Sequence, residues 1–312
     1  MSSKKIHIVI NPASAGGKTG QIKEKLLREI IYYFGNDFSY SQTTSEVNAS
    51  SLSSSAVQSG FETIVAVGGD GTANQVLNGF FNNWISLNPD VKLGIISLGT
   101  GQGFAQSLRL PSDLSSQIKI IKDNQIKLID IGKISFTEEH SPKYFLNEFQ
   151  FGIGALLNKN ISPRTKKLLG RFAFGFEAVK TLFSYQSEEL QLFINGKIID
   201  EKIIGVVVAN GAYTGGGMRL TPNALLNDGL LDVLIIKDMP VTERLISFSK
   251  IYSGKHLSLE PFQLLRVESI GCKYHNGLLI ESDGELINSK CAGIEVLASS
   301  LNVISNNKGV SS

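Results

Sequence analysis

The densest chemistry in the chain lies at Gly68-Gly69-Asp70-Gly71-Thr72, where three glycines surround one carboxylate. Glycines let an anion approach main-chain N–H groups closely, and N–H groups gathered at a helix start favour a phosphate. A carboxylate beside bound phosphates is repelled unless a divalent cation lies between them, so Asp70 reads as a Mg²⁺ contact in a nucleotide-phosphate turn. The plain alternative is a tight strand-to-helix turn capped by Asp70 or Thr72. It is not a Walker loop, because no Gly-Lys-Ser/Thr follows.

Such a turn needs a strand before it and a helix behind it. Thr63 to Val67 is a short β-branched and apolar run that predicts a buried parallel strand. Val76 with Phe80, and Leu77 with Phe81, stack four residues apart as a helix would place them. The design recurs twice. Ile6 to Ile10 leads through Asn11–Gly17 into a helix on Ile22, Leu26, Ile30 and Phe34, and Lys92 to Leu98 leads through Gly99–Gly103 into Phe104 to Leu108. Three such units predict a doubly wound α/β domain whose ligand edge lies at the carboxyl ends of the strands. The serine-rich piece Ser39 to Ser59 reads as a linker or a weak amphipathic helix.

From about Gln125 the pattern changes to strands and turns: 126–134, 144–153, 190–199, 203–209, 230–237, 264–270 and 278–287. Asn195-Gly196 is a hairpin signal, and this half predicts an antiparallel sandwich or flattened barrel. Ile161 to Phe183 interrupts it with Arg164, Lys166, Lys167, Arg171 and Lys180 among aromatic and aliphatic residues. That mixture suits a surface meeting anionic headgroups, or an ordinary amphipathic helix packed on the sheet.

The 312 residues, 42% apolar and 19% charged, are enough for two folded domains. With 30 basic against 28 acidic residues, the net charge of +2 gives no field for nucleic acid. Two cysteines, Cys272 and Cys291, exclude a disulfide framework and a four-cysteine zinc site. No apolar run approaches the ~20 residues that span a bilayer, and the start lacks a signal-type apolar region. The expectation is a cytoplasmic protein, peripheral at the inner face of the membrane, with a homodimer open.

The pentapeptide Gly68–Thr72 resembles a signature shared by diacylglycerol and sphingosine lipid kinases, NAD kinases and phosphofructokinases. Other segments separate these families. Asn11-Pro12-Ala13-Ser14-Ala15-Gly16-Gly17 resembles the N-P-x-S/A-G turn opening the diacylglycerol kinase catalytic domain, which NAD kinases lack. Asn210-Gly211, Gly215-Gly216-Gly217-Met218, Pro222-Asn223-Ala224 and Asp228 to Val233 are similar to that family's second-domain signature, and Asp283-Gly284-Glu285 to its terminal D-G-E. Order and spacing agree from Ile6 to about Val303, and the chain is identified as a member of the bacterial-type diacylglycerol/sphingosine lipid kinases.

The resemblance implies an N-terminal doubly wound α/β nucleotide domain, residues 1–131 with 298–312, and a C-terminal antiparallel β-sandwich lipid domain, residues 132–297. It implies ATP-dependent phosphorylation of a lipid hydroxyl with Mg²⁺ at a membrane surface. Nucleotide contacts are implied for Asn11, Pro12, Ala13, Ser14, Ala15, Gly68, Gly69, Asp70, Gly71, Thr72, Ala73, Asn74 and Thr100. Thr43 is a looser match, with Thr44 beside it. A structural Mg²⁺ loop maps to Leu225, Asp228 and Leu230, and active-site Mg²⁺ carboxylates to Asp70 and Asp130. Glu285 is implied as general base, with Asp283 beside it.

One segment departs from the pattern. Where many bacterial members read G-T-x-N-D-F-A-R, this chain has Gln102, Gly103 and Gln106 at the Asn, acidic and Arg positions. The segment is closer to the G-T-G-N-G of sphingoid-base kinases. Rival readings are therefore a sphingoid-base kinase and a nucleotide-dependent lipid-binding sensor with little catalysis, with an NAD kinase behind them.

Overall fold

The computed structural model describes residues 6–99, 102–138, 141–160, 171–274 and 278–306. Its first part alternates strand and helix: β1 (Ile6–Ile10), α1 (Lys18–Gln21), α2 (Lys23–Phe34), β2 (Phe38–Gln42), α3 (Ala49–Gln58), β3 (Thr63–Gly68) and α4 (Asp70–Asn78). A small hairpin, β4 (Phe81–Asn82) and β5 (Ile85–Ser86), precedes β6 (Lys92–Ser97), α5 (Gly103–Ser107) and α6 (Leu114–Asp123). β1 pairs in parallel with β2 and β3, and β3 with β6. All six residues of β3 are buried, as a parallel strand covered on both faces requires. Ile8 and Ile10 pack with Leu26, Ile30 and Ile121 on one face, while Val9 joins Ile64, Leu77 and Phe104 on the other.

The rest is mainly antiparallel, with three α-helices among the described residues. In order come β7 (Ile126–Phe136), β8 (Lys143–Phe145), β9 (Glu148–Gly152), α7 (Ile153–Asn160), α8 (Arg171–Ser184), β10 (Glu188–Ile194), β11 (Lys197–Ala209) and β12 (Leu231–Lys237). Then follow α9 (Val241–Ile251), β13 (Phe262–Val267), β14 (Ser269–Tyr274), β15 (Ile280–Ser282), β16 (Glu285–Ile287) and β17 (Cys291–Ile304). Phe149, Phe151, Val206, Val208, Val233 and Ile235 fill the core of the sandwich. The alternate residues Glu148 and Gln150 therefore lie on the opposite face of β9.

The two domains share strands. β17 pairs antiparallel with β7 between Cys291 and Ile304, and in parallel with β6 at Asn302 and Val303. A bulge between Leu297 and Leu301, with Ser299 at φ 49°, bends β17 midway. Positions 131 and 297 fall inside β7 and β17, so continuous ladders cross the limits drawn from the sequence.

Several elements differ from expectation. Ser39–Ser59 holds most of edge strand β2 and the helix α3, whose start is capped by Asn48 Oδ1 accepting from Ser51 N at 2.9 Å. The expected strands at 144–153 and 278–287 are each broken by a turn, whereas the hairpin expected at Asn195-Gly196 forms between β10 and β11, with φ of 50° and 73°. Such a pair of positive φ angles is what a tight hairpin needs. Of the basic and aromatic insertion, 161–170 lies outside the described residues and 171–184 is helical.

Candidate active site

Asn11 follows β1 and joins three loops. Its Oδ1 accepts from Ala13 N at 3.1 Å and from the Thr43 hydroxyl at 3.3 Å, and its Nδ2 donates to Thr72 Oγ1 at 3.0 Å. One amide thus gathers the first glycine turn, the end of β2 and the start of α4, which the sequence places 61 residues apart. Ser14 Oγ donates to Asn11 O at 2.8 Å and bonds Thr19 Oγ1 at 2.6 Å. Ala15, Gly16 and Gly17 are left-handed at φ 55°, 67° and 89°, and the space above both glycines is open.

Gly68 ends β3 with the Thr72 side chain seated where a Cβ would project, which admits no larger residue. Asp70 opens α4 without capping it; Gly69 holds the cap position. The Asp70 Oδ2 accepts from Gly103 N at 2.8 Å, joining the second glycine turn to the third. Burial, and then the charge of Asp283, push the Asp70 carboxyl up to about 6, against the N–H groups of Gly103 and Phe104. Thr100 and Gly101 lie outside the described residues.

The departure at Gly103 has a packing cause. A Cβ there would sit 2.6 Å from Tyr213 O and 3.2 Å from Asn147 Nδ2, so an acidic side chain has no room. Tyr213 O accepts from Asn147 Nδ2 at 2.8 Å, and Tyr213 N donates to Ser107 Oγ at 3.3 Å. The 211–217 loop of the second domain thereby rests directly on α5.

The D-G-E segment is the turn between β15 and β16, with Asp283 at φ 47° and Gly284 at φ 87°. Asp283 is buried, and its carboxylate accepts from the N–H groups of Leu146 (2.7 Å), Asn147 (3.0 Å) and Glu148 (2.9 Å) and from Asn74 Nδ2 (2.8 Å). Burial still raises its pKa against these donors. With both oxygens engaged, Asp283 anchors the turn that carries Glu285. Asn74 Nδ2 donates to Tyr144 O at 2.9 Å as well as to Asp283, and so braces the second domain.

Glu285, two residues on, is exposed and reaches back over the glycine turn. Its Oε1 lies 2.7 Å from the point where a Cβ on Gly71 would be and 3.5 Å from Gln75 Nε2. Behind it, Glu148 is buried; its Oε2 accepts from the Thr214 hydroxyl. Burial, with the Glu281 charge next, holds its pKa well above the ordinary range.

Asp130 is not aimed at the glycine turn. Fully buried, it accepts from Gly229 N and Ser299 N, each at 2.7 Å, and so fastens the 225–230 loop to the bulge of β17. In that loop Asp228 receives Arg266 and the Leu230 N–H, the latter at 3.2 Å, while Leu225 is exposed. The adjoining Asp232 keeps Oδ1 buried with no hydrogen-bond partner. Asp228 and Asp232, both in reach of Arg266, are carboxylates of the kind a hard cation takes, with Arg266 as the competing positive charge. Asn210, part of the second-domain signature, donates through Nδ2 to Asp130 O and Leu146 O, each at 2.8 Å. Asn147, which the sequence did not single out, donates through Nδ2 to Tyr213 O.

Residues 5–134 match the diacylglycerol kinase catalytic domain, and residues 148–305 match the YegS C-terminal NAD kinase beta sandwich-like domain. The chain is 26% identical over 286 residues to the diacylglycerol kinase of Bacillus subtilis (strain 168), covering 90% of each. It is 26% identical over 282 residues to that of Staphylococcus haemolyticus, covering 89% of this chain and 81% of the relative. A crystal structure of a diacylglycerol kinase from Bacillus anthracis str. Sterne shares the fold at a TM-score of 0.71 and 19% identity, with 97% of each chain covered. Matched through both halves, with its glycine turns and D-G-E turn facing one another, the chain belongs to the bacterial diacylglycerol kinase and YegS-like family of lipid kinases.

Proposed function

We propose that the chain transfers the γ-phosphate of ATP to a lipid hydroxyl, with Mg²⁺ as its metal. The observation that carries this reading is the seating of Glu285 over Gly71, which brings a carboxylate of one domain against the phosphate-type turn of the other. The hydroxyl proton passes to the Glu285 carboxylate, the hydroxyl oxygen bonds to the γ-phosphorus, and the bond from that phosphorus to the bridging oxygen breaks as ADP leaves. Asn11, Ala13 to Gly17, Thr43 and Gly68 to Thr72 would hold the nucleotide. Asp70 would hold the active-site Mg²⁺, which neutralises phosphate charge when bound, and the 225–230 loop a separate structural Mg²⁺. Diacylglycerol is the acceptor favoured by the relatives.

The sensor reading loses its support at Gly103, because packing against Tyr213 accounts for that residue without loss of Asp70 or Glu285. No helix among the described residues is long and apolar enough to cross a membrane, and we place the enzyme at the membrane surface during turnover. The test is transfer of ³²P from ATP-Mg²⁺ into micellar diacylglycerol, monoacylglycerol, sphingosine, ceramide, phosphatidylglycerol and undecaprenol, with NAD as soluble control. Label in a lipid supports the reading. Label in NAD alone, or ATP binding with no label anywhere, overturns it.

A further inference from the structure

Glu148 is a buried carboxyl on which the transfer described above makes no demand. Its main chain is fixed to the D-G-E turn in both directions: Glu148 N donates to Asp283 Oδ1 at 2.9 Å, and Asp283 N donates to Glu148 O at 3.0 Å. Its side chain turns to the 211–217 loop, where Oε2 accepts from the Thr214 hydroxyl. Tyr213, beside Thr214, has its carbonyl 2.6 Å from where a Cβ on Gly103 would be, and Gly103 N holds Asp70. One residue therefore joins the turn that carries Glu285 to the loop that covers the third glycine turn.

Among the described residues, the charged groups that act on this side chain are carboxyls. β15 brings Glu281, 4% exposed, and the D-G-E turn brings Asp283, 3% exposed. β9 itself contributes the Gln150 amide, and the facing end of β11 contributes the apolar Val207 and Ala209. α7 presents Asn158, which donates to Gly284 O at 2.7 Å and to Glu281, whereas its Lys159 is exposed. Arg219, just past the 211–217 loop, lies over the Tyr213 ring at 5.7 Å from its centroid. A charge on Glu148 would thus be buried among like charges and met by one hydroxyl and one amide. A bound proton removes that cost.

We propose that Glu148 is a positioning residue that works un-ionised: as a neutral acid it lets the 211–217 loop and the D-G-E turn close on one another, and so sets Glu285 against Gly71. Ionised, it would repel Glu281 on the strand that carries the turn, because β9 pairs with β15 and β15 with β16. The effect on turnover rests on the lipid-kinase reading. The state of Glu148 in the fold does not.

The first test follows melting against pH without nucleotide or lipid. The folded chain holds the Glu148 proton more tightly than the unfolded chain, whose ordinary value is 4.5, so wild type loses stability as pH rises from about 4.5 toward the folded value. Glu148→Gln is near-isosteric and permanently neutral, and should lack that loss. Its Tm should match wild type below pH 4 and exceed it by a widening margin above. A margin that does not change with pH, or a variant melting below wild type at pH 7, overturns the proposal.

The second test measures kcat and KM for ATP on a micellar acceptor. Glu148→Ala should lower kcat about 10²-fold and leave KM for ATP within about twofold. Glu148→Gln should rescue that loss and lack the fall in kcat that wild type shows once alkaline pH ionises Glu148. Thr214→Val, which removes the hydroxyl alone, should lower kcat in the same direction and carries the comparison where Glu148→Ala does not fold. A Glu148→Gln protein as impaired as Glu148→Ala, or one that keeps the wild-type alkaline fall, overturns the proposal. Absence of transfer to every acceptor overturns the kinase reading instead, and the melting series still decides the state of Glu148.

Discussion

Asn74 Nδ2 donates to Asp283 Oδ2 at 2.8 Å, a bond between the helix behind the central glycine turn and the D-G-E turn 209 residues away. Asp283 in turn holds three consecutive N–H groups at Leu146, Asn147 and Glu148. The spacing between Glu285 and Gly71 is therefore set by a buried carboxylate whose oxygens are held by protein donors.

Replacing that anchor should be felt as lost stability. Asp283→Asn leaves one oxygen for four donors and turns an NH₂ group toward N–H groups. The expected loss is about 2–4 kcal/mol in urea denaturation. An unchanged midpoint would show that the network is not holding the turn.

Glu285→Gln keeps the shape and removes the proposed base. kcat should fall by about 10² to 10⁴-fold while KM for ATP stays within about twofold. Wild-type turnover in this variant would remove Glu285 from the mechanism.

Gly71→Ala should separate stability from activity. Gly71 lies in the first turn of α4, where alanine is favoured over glycine by up to about 1 kcal/mol. Its Cβ would stand 2.7 Å from Glu285 Oε1, so the carboxylate must move off the turn. The expected protein melts no lower than wild type and has a reduced kcat. A less stable variant of full activity contradicts the placement.

Asp70 gives a pH test. Its folded pKa of about 6 exceeds the ordinary 3.8, so the folded chain holds this proton more tightly than the unfolded chain. Ionisation therefore destabilises the fold, a loss that grows as pH rises from about 4 to about 6 and is constant above. The gap is worth at most about 3 kcal/mol. Asp70→Asn, whose amide oxygen still accepts from Gly103, should raise Tm at pH 8 and match wild type below pH 4. Equal melting at pH 8 would show that Asp70 carries no such strain.

The strand, glycine turn and helix at Thr63–Asn78 were legible because each signal is local: a buried apolar run, three glycines and a four-residue apolar stagger. The doubly wound half and the antiparallel half followed for the same reason. The contacts of Asp130 and Asp283 were not legible because their partners are main-chain groups at 229, 299 and 146–148, and sequence does not say which carboxylate a distant N–H will meet. Gly103 looked like a missing acid until Tyr213 was placed against it. The helix Val241–Ile251 was overlooked because its Ile, Leu and Phe serve a strand equally well.

β17 belongs to both halves and is bent at Ser299, where Asp130 grips it. A strand fixed at both ends and kinked in the middle behaves as a torsion bar. Displacing one half against the other must strain this shared strand, and Ser299 is where its ladder with β7 is already interrupted.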